Sequence, residues 1–202
     1  EVIPKIIHCV WLGKGEKNER AKLCIESWKK LLPDYEIIEW NEDNFDVNCN
    51  NWCRESYENK KYAFTSDYVR LWALYNYGGI YMDTDVEVYK PLDKFLTEKG
   101  FTGFEAVNYP STATLGAEKG NPVIKQMMEW YENHDFILYD DWRDYIKNER
   151  TSTCVQSNIL SELGIDRKRN EIQHIENFAV YPTDYFFTQN EGYTYHSFNG
   201  SW

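Results

Sequence analysis

The sequence predicts an α/β protein: one domain over residues 1–202, built on a mixed, mainly parallel sheet flanked by helices. Two patterns carry that class. Residues 5–40 read strand, helix, strand, and a long amphipathic helix over 62–77 runs into Gly78-Gly79 and a second apolar run. Size agrees, since 202 residues with 42% hydrophobic and 17% aromatic content suffice for one sizeable core. There is no internal repeat, low-complexity tract or linker to divide it.

Taken in order, Lys5-Ile6-Ile7-His8-Cys9-Val10-Trp11 is an apolar run ended by Gly13 and Gly15, hence a buried first strand. Ala21, Cys24, Ile25, Trp28 and Leu32 recur at helical spacing over residues 18–32 and stop at Pro33. Residues 35–40 form a second strand, closed by Asn41-Glu42-Asp43-Asn44. Residues 42–61 are polar and irregular, with Trp52 and Tyr57 able to anchor a short helix. The helix over 62–77 carries Phe64, Tyr68, Leu71, Trp72 and Tyr75 as its apolar stripe. On another face Ala63, Asp67, Arg70 and Leu74 line up, which sets Asp67 beside Arg70. Val86-Glu87-Val88-Tyr89 alternates like a half-exposed strand before Pro91, and 101–106 and 113–115 are weaker strands. Asn121-Pro122 opens a helix through Val123, Met127, Trp130 and Tyr131. Residues 140–147 and 155–163 are further helices, and the aromatic tail 178–202 reads as strand and loop.

Charge and cysteines exclude several classes. A net charge of −11 opposes general nucleic-acid binding, which needs a basic footprint, and loose attachment to an anionic membrane. No apolar run approaches the roughly 20 residues of a membrane span, and no signal peptide is visible. Five scattered cysteines suit free thiols in a reducing compartment, hence a cytoplasmic location. Cys49 and Cys53 have no second pair spaced to complete a zinc site. The chain opens on Glu1 rather than Met and stops within an aromatic motif, which reads as processing or trimming at its ends.

The chemistry centres on Gly78-Gly79-Ile80-Tyr81-Met82-Asp83-Thr84-Asp85. Two carboxylates one residue apart at the C-terminal end of a strand stand where open α/β sheets bind ligands. Hard oxygen donors there hold a divalent cation, the usual grip on a diphosphate in an acidic protein. Asp-x-Asp alone is a weak pattern among 33 acidic residues, and a solvated turn is its plain alternative. For Trp11 the alternatives are a core aromatic and a stacking platform at the end of the first strand. For Arg70 they are a surface ion pair with Asp67 and a fork for phosphate. His8, inside an apolar strand, reads as a satisfied core residue; His134 and His174 lack ligand spacing, and Arg167-Lys168-Arg169 reads as a solvated loop.

Four separated motifs then add a resemblance. Ile3-Pro4-Lys5-Ile6-Ile7-His8, Val10-Trp11-Leu12-Gly13, Thr65-Ser66-Asp67-Tyr68-Val69-Arg70, and Tyr77 through Asp85 resemble the DXD-containing sugar-nucleotide glycosyltransferases of glycosyltransferase family 32. That family includes capsular-polysaccharide transferases, yeast initiating mannosyltransferases and relatives of the clostridial glucosylating toxins. The likeness is strong over residues 3–96, weakens over 97–169, and returns in Tyr181-Pro182-Thr183-Asp184-Tyr185-Phe186 and at 196–202. It implies a GT-A (Rossmann-like) fold, a divalent metal, Mn2+ or Mg2+, and transfer with retention from a UDP- or GDP-sugar to a glycan or lipid-linked glycan, in capsular or other surface polysaccharide synthesis.

Carried over residue by residue, the resemblance implies that Trp11 stacks on the nucleotide base and that Val10 belongs to the donor site. It gives Asp67 and Arg70 the donor sugar and phosphates, and Tyr81 a place in the donor site. Asp83 would bind donor hydroxyls and approach the metal, Asp85 would ligate it directly, and His196 is a further candidate ligand. Gly200-Ser201-Trp202 resembles a loop that closes over the diphosphate. Asp83, Asp85, Asp67 and Arg70 are thus the expected catalytic set. Where many members have a Thr-Gly-Pro-type segment near acceptor and donor sugar, this chain has Thr153-Cys154-Val155-Gln156-Ser157-Asn158. The alternatives are a metal-dependent phosphodiester or diphosphate hydrolase and a non-catalytic nucleotide-sugar-binding module. The enzyme is expected in the cytoplasm, at the inner membrane only through other partners.

Overall fold

The computed structural model describes residues 2–106, 108–189 and 191–197. It opens with the expected β-α-β unit. Strand β1 (Ile6–Val10) pairs in parallel with β2 (Glu36–Trp40), Ile7 opposite Ile37 and Val10 opposite Trp40. Helix α1 (Glu19–Leu31) makes the crossover. Its N-terminus is capped by the Asn18 side chain, which accepts the Ala21 N–H at 2.8 Å, and its buried face is Ala21, Cys24 and Trp28. Asn50 caps α2 (Asn51–Glu58) in the same way, and Trp52 buries its ring in the core.

Helix α3 (Tyr62–Tyr77) is buried more broadly than its predicted stripe. Val69, Ala73 and Leu74 join Phe64, Tyr68 and Leu71 in the core, while Trp72 and Tyr75 are only partly covered. The reason is its position, packed against α2 and the sheet at once. Its end requires glycine. Gly78 has φ +71° and Gly79 φ +132°, and a Cβ on Gly79 would stand 2.5 Å from the Ile6 carbonyl oxygen. Only a residue without a side chain lets β3 (Gly79–Met82) lie beside β1 there.

The remaining elements are β4 (Val86–Val88), a 3-10 turn at Asp93–Thr97, β5 (Gly100–Ala106), β6 (Tyr109–Pro110), β7 (Thr114–Ala117), α4 (Pro122–Glu132), α5 (Trp142–Lys147), α6 (Ser152–Glu162), β8 (Gln173–Ile175), β9 (Phe178–Tyr181), α7 (Thr183–Phe186) and β10 (Thr194–His196). The main sheet runs β2-β1-β3-β7-β5-β9-β8, with β6 on β5. β1, β2, β3, β5 and β9 point one way, and β6, β7 and β8 run against them, which is the mixed, mainly parallel sheet expected. β4 and β10 form a separate antiparallel ribbon. The two faces of the sheet carry two cores. Tyr81 faces the side of α3 and α4, and its strand neighbours Ile80 and Met82 face Trp28 and Phe95, as period-2 alternation requires.

Helix α6 and the tail are among the differences from expectation. Helix α6 starts at Ser152 because the Thr151 hydroxyl caps it, accepting the Cys154 N–H. The tail contains the short helix α7 as well as strand and loop. His8 is the satisfied core residue predicted. The Trp40 indole N–H donates to its Nδ1 at 3.0 Å, which leaves Nε2 to donate to the Gly78 carbonyl at 2.9 Å. All five cysteines are free.

Candidate active site

The C-terminal ends of β1 and β3 open into a cleft of about 580 Å³, within the range of small-ligand sites. Val10, Trp11, Asp67, Arg70, Tyr81, Asp83, Asp85 and His196 all line it. Sequence positions from 10 to 196 therefore meet in one place. Ser201 and Trp202, the expected closing loop, lie outside the described residues.

Trp11 follows β1 and keeps its pairing, its N–H donating to the Trp40 carbonyl at 3.0 Å. Its indole N–H donates to the Gly15 carbonyl at 2.8 Å, which fixes the ring, and the side chain is half-buried rather than part of either core. The next turn is braced by Glu42, which accepts the Gly13 N–H at 2.6 Å and the Tyr57 hydroxyl at 2.7 Å. Gly13 has φ +91°, and a Cβ there would meet the Tyr62 ring at 2.5 Å.

Asp67 and Arg70 do form an ion pair, at 3.3 Å, but it is no surface pair: they are 7% and 5% exposed. The guanidinium is largely committed within the protein. Nη1 donates to the Thr112 carbonyl at 2.8 Å, Nε to the Ser66 carbonyl at 3.2 Å, and Nη2 to the Ser66 hydroxyl at 3.0 Å. Nη2 also lies 3.4 Å from Asp83 Oδ1, and the plane stacks over the Tyr81 ring at 4.4 Å. Burial pushes the Asp67 carboxyl up to about 7, with Arg70 pulling it back and Asp83 adding to the rise. Burial opposes the Arg70 charge, but Tyr81, Asp83 and Asp67 more than offset it and its pKa is raised.

Asp83 begins the turn after β3, its N–H donating to the Ala113 carbonyl at 2.9 Å. The pairing of β10 with β4 sets His196 opposite Val86 and so beside the second acid. His196 Nε2 lies 3.0 Å from Asp85 Oδ1 and 3.8 Å from Asp83 Oδ2. Burial opposes the imidazolium, yet the hydrogen bond to Asp85 and the charge of Asp83 outweigh it and raise its pKa. Asp83, Asp85 and His196 each present a ligand atom within 4.8 Å of the others. Two carboxylates and an imidazole are a donor set that fits manganese or magnesium.

The cleft also holds residues that the sequence motifs did not single out for this site. Glu105, on β5, lines it near His196, and burial raises its carboxyl. A lone glutamate at a strand end carries no pattern by which to find it. Thr112, Thr151 and Ser152 form a hydroxyl wall, with Thr112 and Ser152 2.9 Å apart. A Thr cap before an apolar-periodic helix was the available signal for that wall. Of the divergent segment 153–158, Thr153 lines the cleft, and Gln156 reaches the Ser111 carbonyl at 2.5 Å behind it.

Comparison with known proteins bears on the family and the fold. Residues 18–102 match the family model described as the glycosyltransferase sugar-binding region containing the DXD motif. Inositol phosphoceramide mannosyltransferase 3 of Schizosaccharomyces pombe is 33% identical over 134 residues, covering 62% of this chain. The chain spans only 36% of that relative's length. Among solved structures, the PaToxG glycosyltransferase superposes with a TM-score of 0.58 at 18% identity, covering 79% of this chain and 68% of that one. A glycosyltransferase involved in glycosylation of the major capsid of PBCV-1 gives 0.54 at 13% identity, covering 98% and 96%. The fold is thus that of the GT-A glycosyltransferases. The chain is related to the DXD-containing glycosyltransferases, mannosyltransferases among them, as its motifs indicate.

Proposed function

We propose that this chain is the catalytic region of a metal-dependent glycosyltransferase that moves a hexose from a UDP- or GDP-sugar to a glycan acceptor with retention of configuration. One observation carries the reading. Asp83, Asp85 and His196 converge at the strand end of a cleft whose wall also bears the half-exposed Trp11 ring. A nucleoside diphosphate has the matching parts, a flat base to stack and a dianionic bridge to set against a cation.

Trp11 offers its face to the base, and stacking of this kind contributes roughly 1–3 kcal/mol per base. Asp85, Asp83 and His196 would hold Mn2+ or Mg2+, which supplies charge neutralisation on the leaving diphosphate. Arg70 acts mainly by fixing Asp83, because most of its donors are already used. Asp67 and the hydroxyls of Ser152 and Thr153 face the region where the sugar would sit. Retention requires no dedicated general base, and none is assigned.

Relationship to an inositol phosphoceramide mannosyltransferase supports mannose as the sugar and a lipid-linked acceptor. We include in the proposal a surface glycan such as capsule as the product and a cytoplasmic location, which five free thiols suit. No helix among the described residues is long and apolar enough to cross a membrane. A two-metal hydrolase would need more converging acids and histidines than the single group found among the described residues. The test is a mass-spectrometric screen of nucleotide sugars with and without Mn2+. Metal-dependent release of nucleoside diphosphate from a UDP- or GDP-sugar is expected; no turnover of any donor, with or without acceptor glycans, contradicts the proposal.

A further inference from the structure

Arg20 lies in the first turn of α1, outside the cleft lining, with its side chain partly buried. Its Nε–H donates to the Ser197 hydroxyl oxygen at 2.9 Å, and Nη1 donates to Glu87 Oε1 at 3.1 Å. Ser197 is itself fastened to the metal-site turn. Its hydroxyl donates to the Asp85 carbonyl oxygen at 2.9 Å, and its backbone N–H donates to the same oxygen at 3.0 Å. The single hydroxyl proton is spent on Asp85, so the lone pair faces Arg20, and the three groups form a directional relay. Ser197 directly follows His196, the last residue of a ribbon only three pairs long. Two-stranded ribbons of that size are marginal on their own.

We propose that Arg20 is a positioning residue for the metal site: through Ser197 it holds the end of β10 against the Asp85 carbonyl and so keeps His196 in ligating register with Asp83 and Asp85. This rests on the metal-site reading above. Neither Arg20 nor Ser197 lines the cleft. Glu87, from the strand opposite β10, fixes the guanidinium from its other side. Groups that orient metal ligands from behind typically change metal affinity by tenfold to a hundredfold when removed.

The test uses the full chain and Mn2+ alone, with free Mn2+ read by electron paramagnetic resonance and folding by thermal denaturation. Arg20→Ala and Ser197→Ala should each weaken Mn2+ binding by about tenfold. Arg20→Lys should recover part of the loss. The double variant should bind no worse than the weaker single one, because both break one relay. Unchanged Mn2+ affinity in the singles, or losses that add in the double, would overturn the proposal. If Arg20→Ala does not fold, Ser197→Ala, which removes one hydroxyl, decides alone. Failure of the unaltered chain to bind Mn2+ overturns the metal-site reading together with this one, whereas normal binding in both wild type and variants overturns this one only.

Discussion

The Tyr81 hydroxyl donates to Asp83 Oδ1 at 2.5 Å, and the Arg70 guanidinium stacked on the same ring stands 3.4 Å from that oxygen. One carboxylate oxygen of the Asp-x-Asp pair is therefore anchored from within the protein. The other, Oδ2, is the one nearest His196. Burial raises the Tyr81 pKa well above its ordinary value, so the phenol stays protonated and remains a donor.

Tyr81→Phe removes that anchor while keeping the ring beneath Arg70. Manganese binding should weaken by about tenfold, as loss of an orienting partner typically does. Stability should fall by only about 1 kcal/mol, the usual net worth of one hydrogen bond. Calorimetric Mn2+ titration beside a denaturation curve checks both.

Trp11→Ala should weaken nucleoside-diphosphate binding by roughly fivefold to 150-fold, the equivalent of about 1–3 kcal/mol of stacking. Mn2+ affinity without nucleotide should not change, because the ring is held by the Gly15 carbonyl and Lys17 and supplies no ligand atom. Trp11→Phe should restore part of the nucleotide affinity. Parallel titrations of UDP and GDP would reveal which base the ring accepts better.

His8 gives a pH prediction. Burial lowers its pKa from 6.5, with the Gly78 hydrogen bond pulling the other way. The unfolded chain then binds the proton more readily than the folded one, so stability falls as pH drops below 6.5 towards the lowered folded value. The slope is at most about 1.4 kcal/mol per pH unit for one proton. His8→Gln should show a shallower acid decline than wild type in urea melts between pH 7 and 5.

Much of this architecture was legible in the amino-acid sequence because local pattern and tertiary role agree. The β1-α1-β2 unit, α3 and the Gly78-Gly79 switch carry long periodic runs bounded by caps and breakers. β6 and β8, of two and three residues, exist through pairing with β5 and β9 and leave almost no pattern of their own. The meeting of His196 with Asp85 depends on β10 finding β4 from the far end of the chain, and nothing local predicts that partner. Family resemblance suggested it, and the ribbon register explains it. Glu105 and Ser152 enter the cleft for the same non-local reason, one from a strand end and one from the first turn of a helix.

The most direct test of the account is calorimetry of UDP and GDP against wild type and Asp85→Asn, each with and without Mn2+. Wild type should bind at least one of the two nucleotides only when Mn2+ is present. Asp85→Asn should lose that metal-dependent binding while keeping the wild-type circular dichroism spectrum and melting transition. Binding of equal strength without metal, or full metal-dependent binding in Asp85→Asn, would contradict the assignment of Asp83, Asp85 and His196 as the site that joins cation to diphosphate.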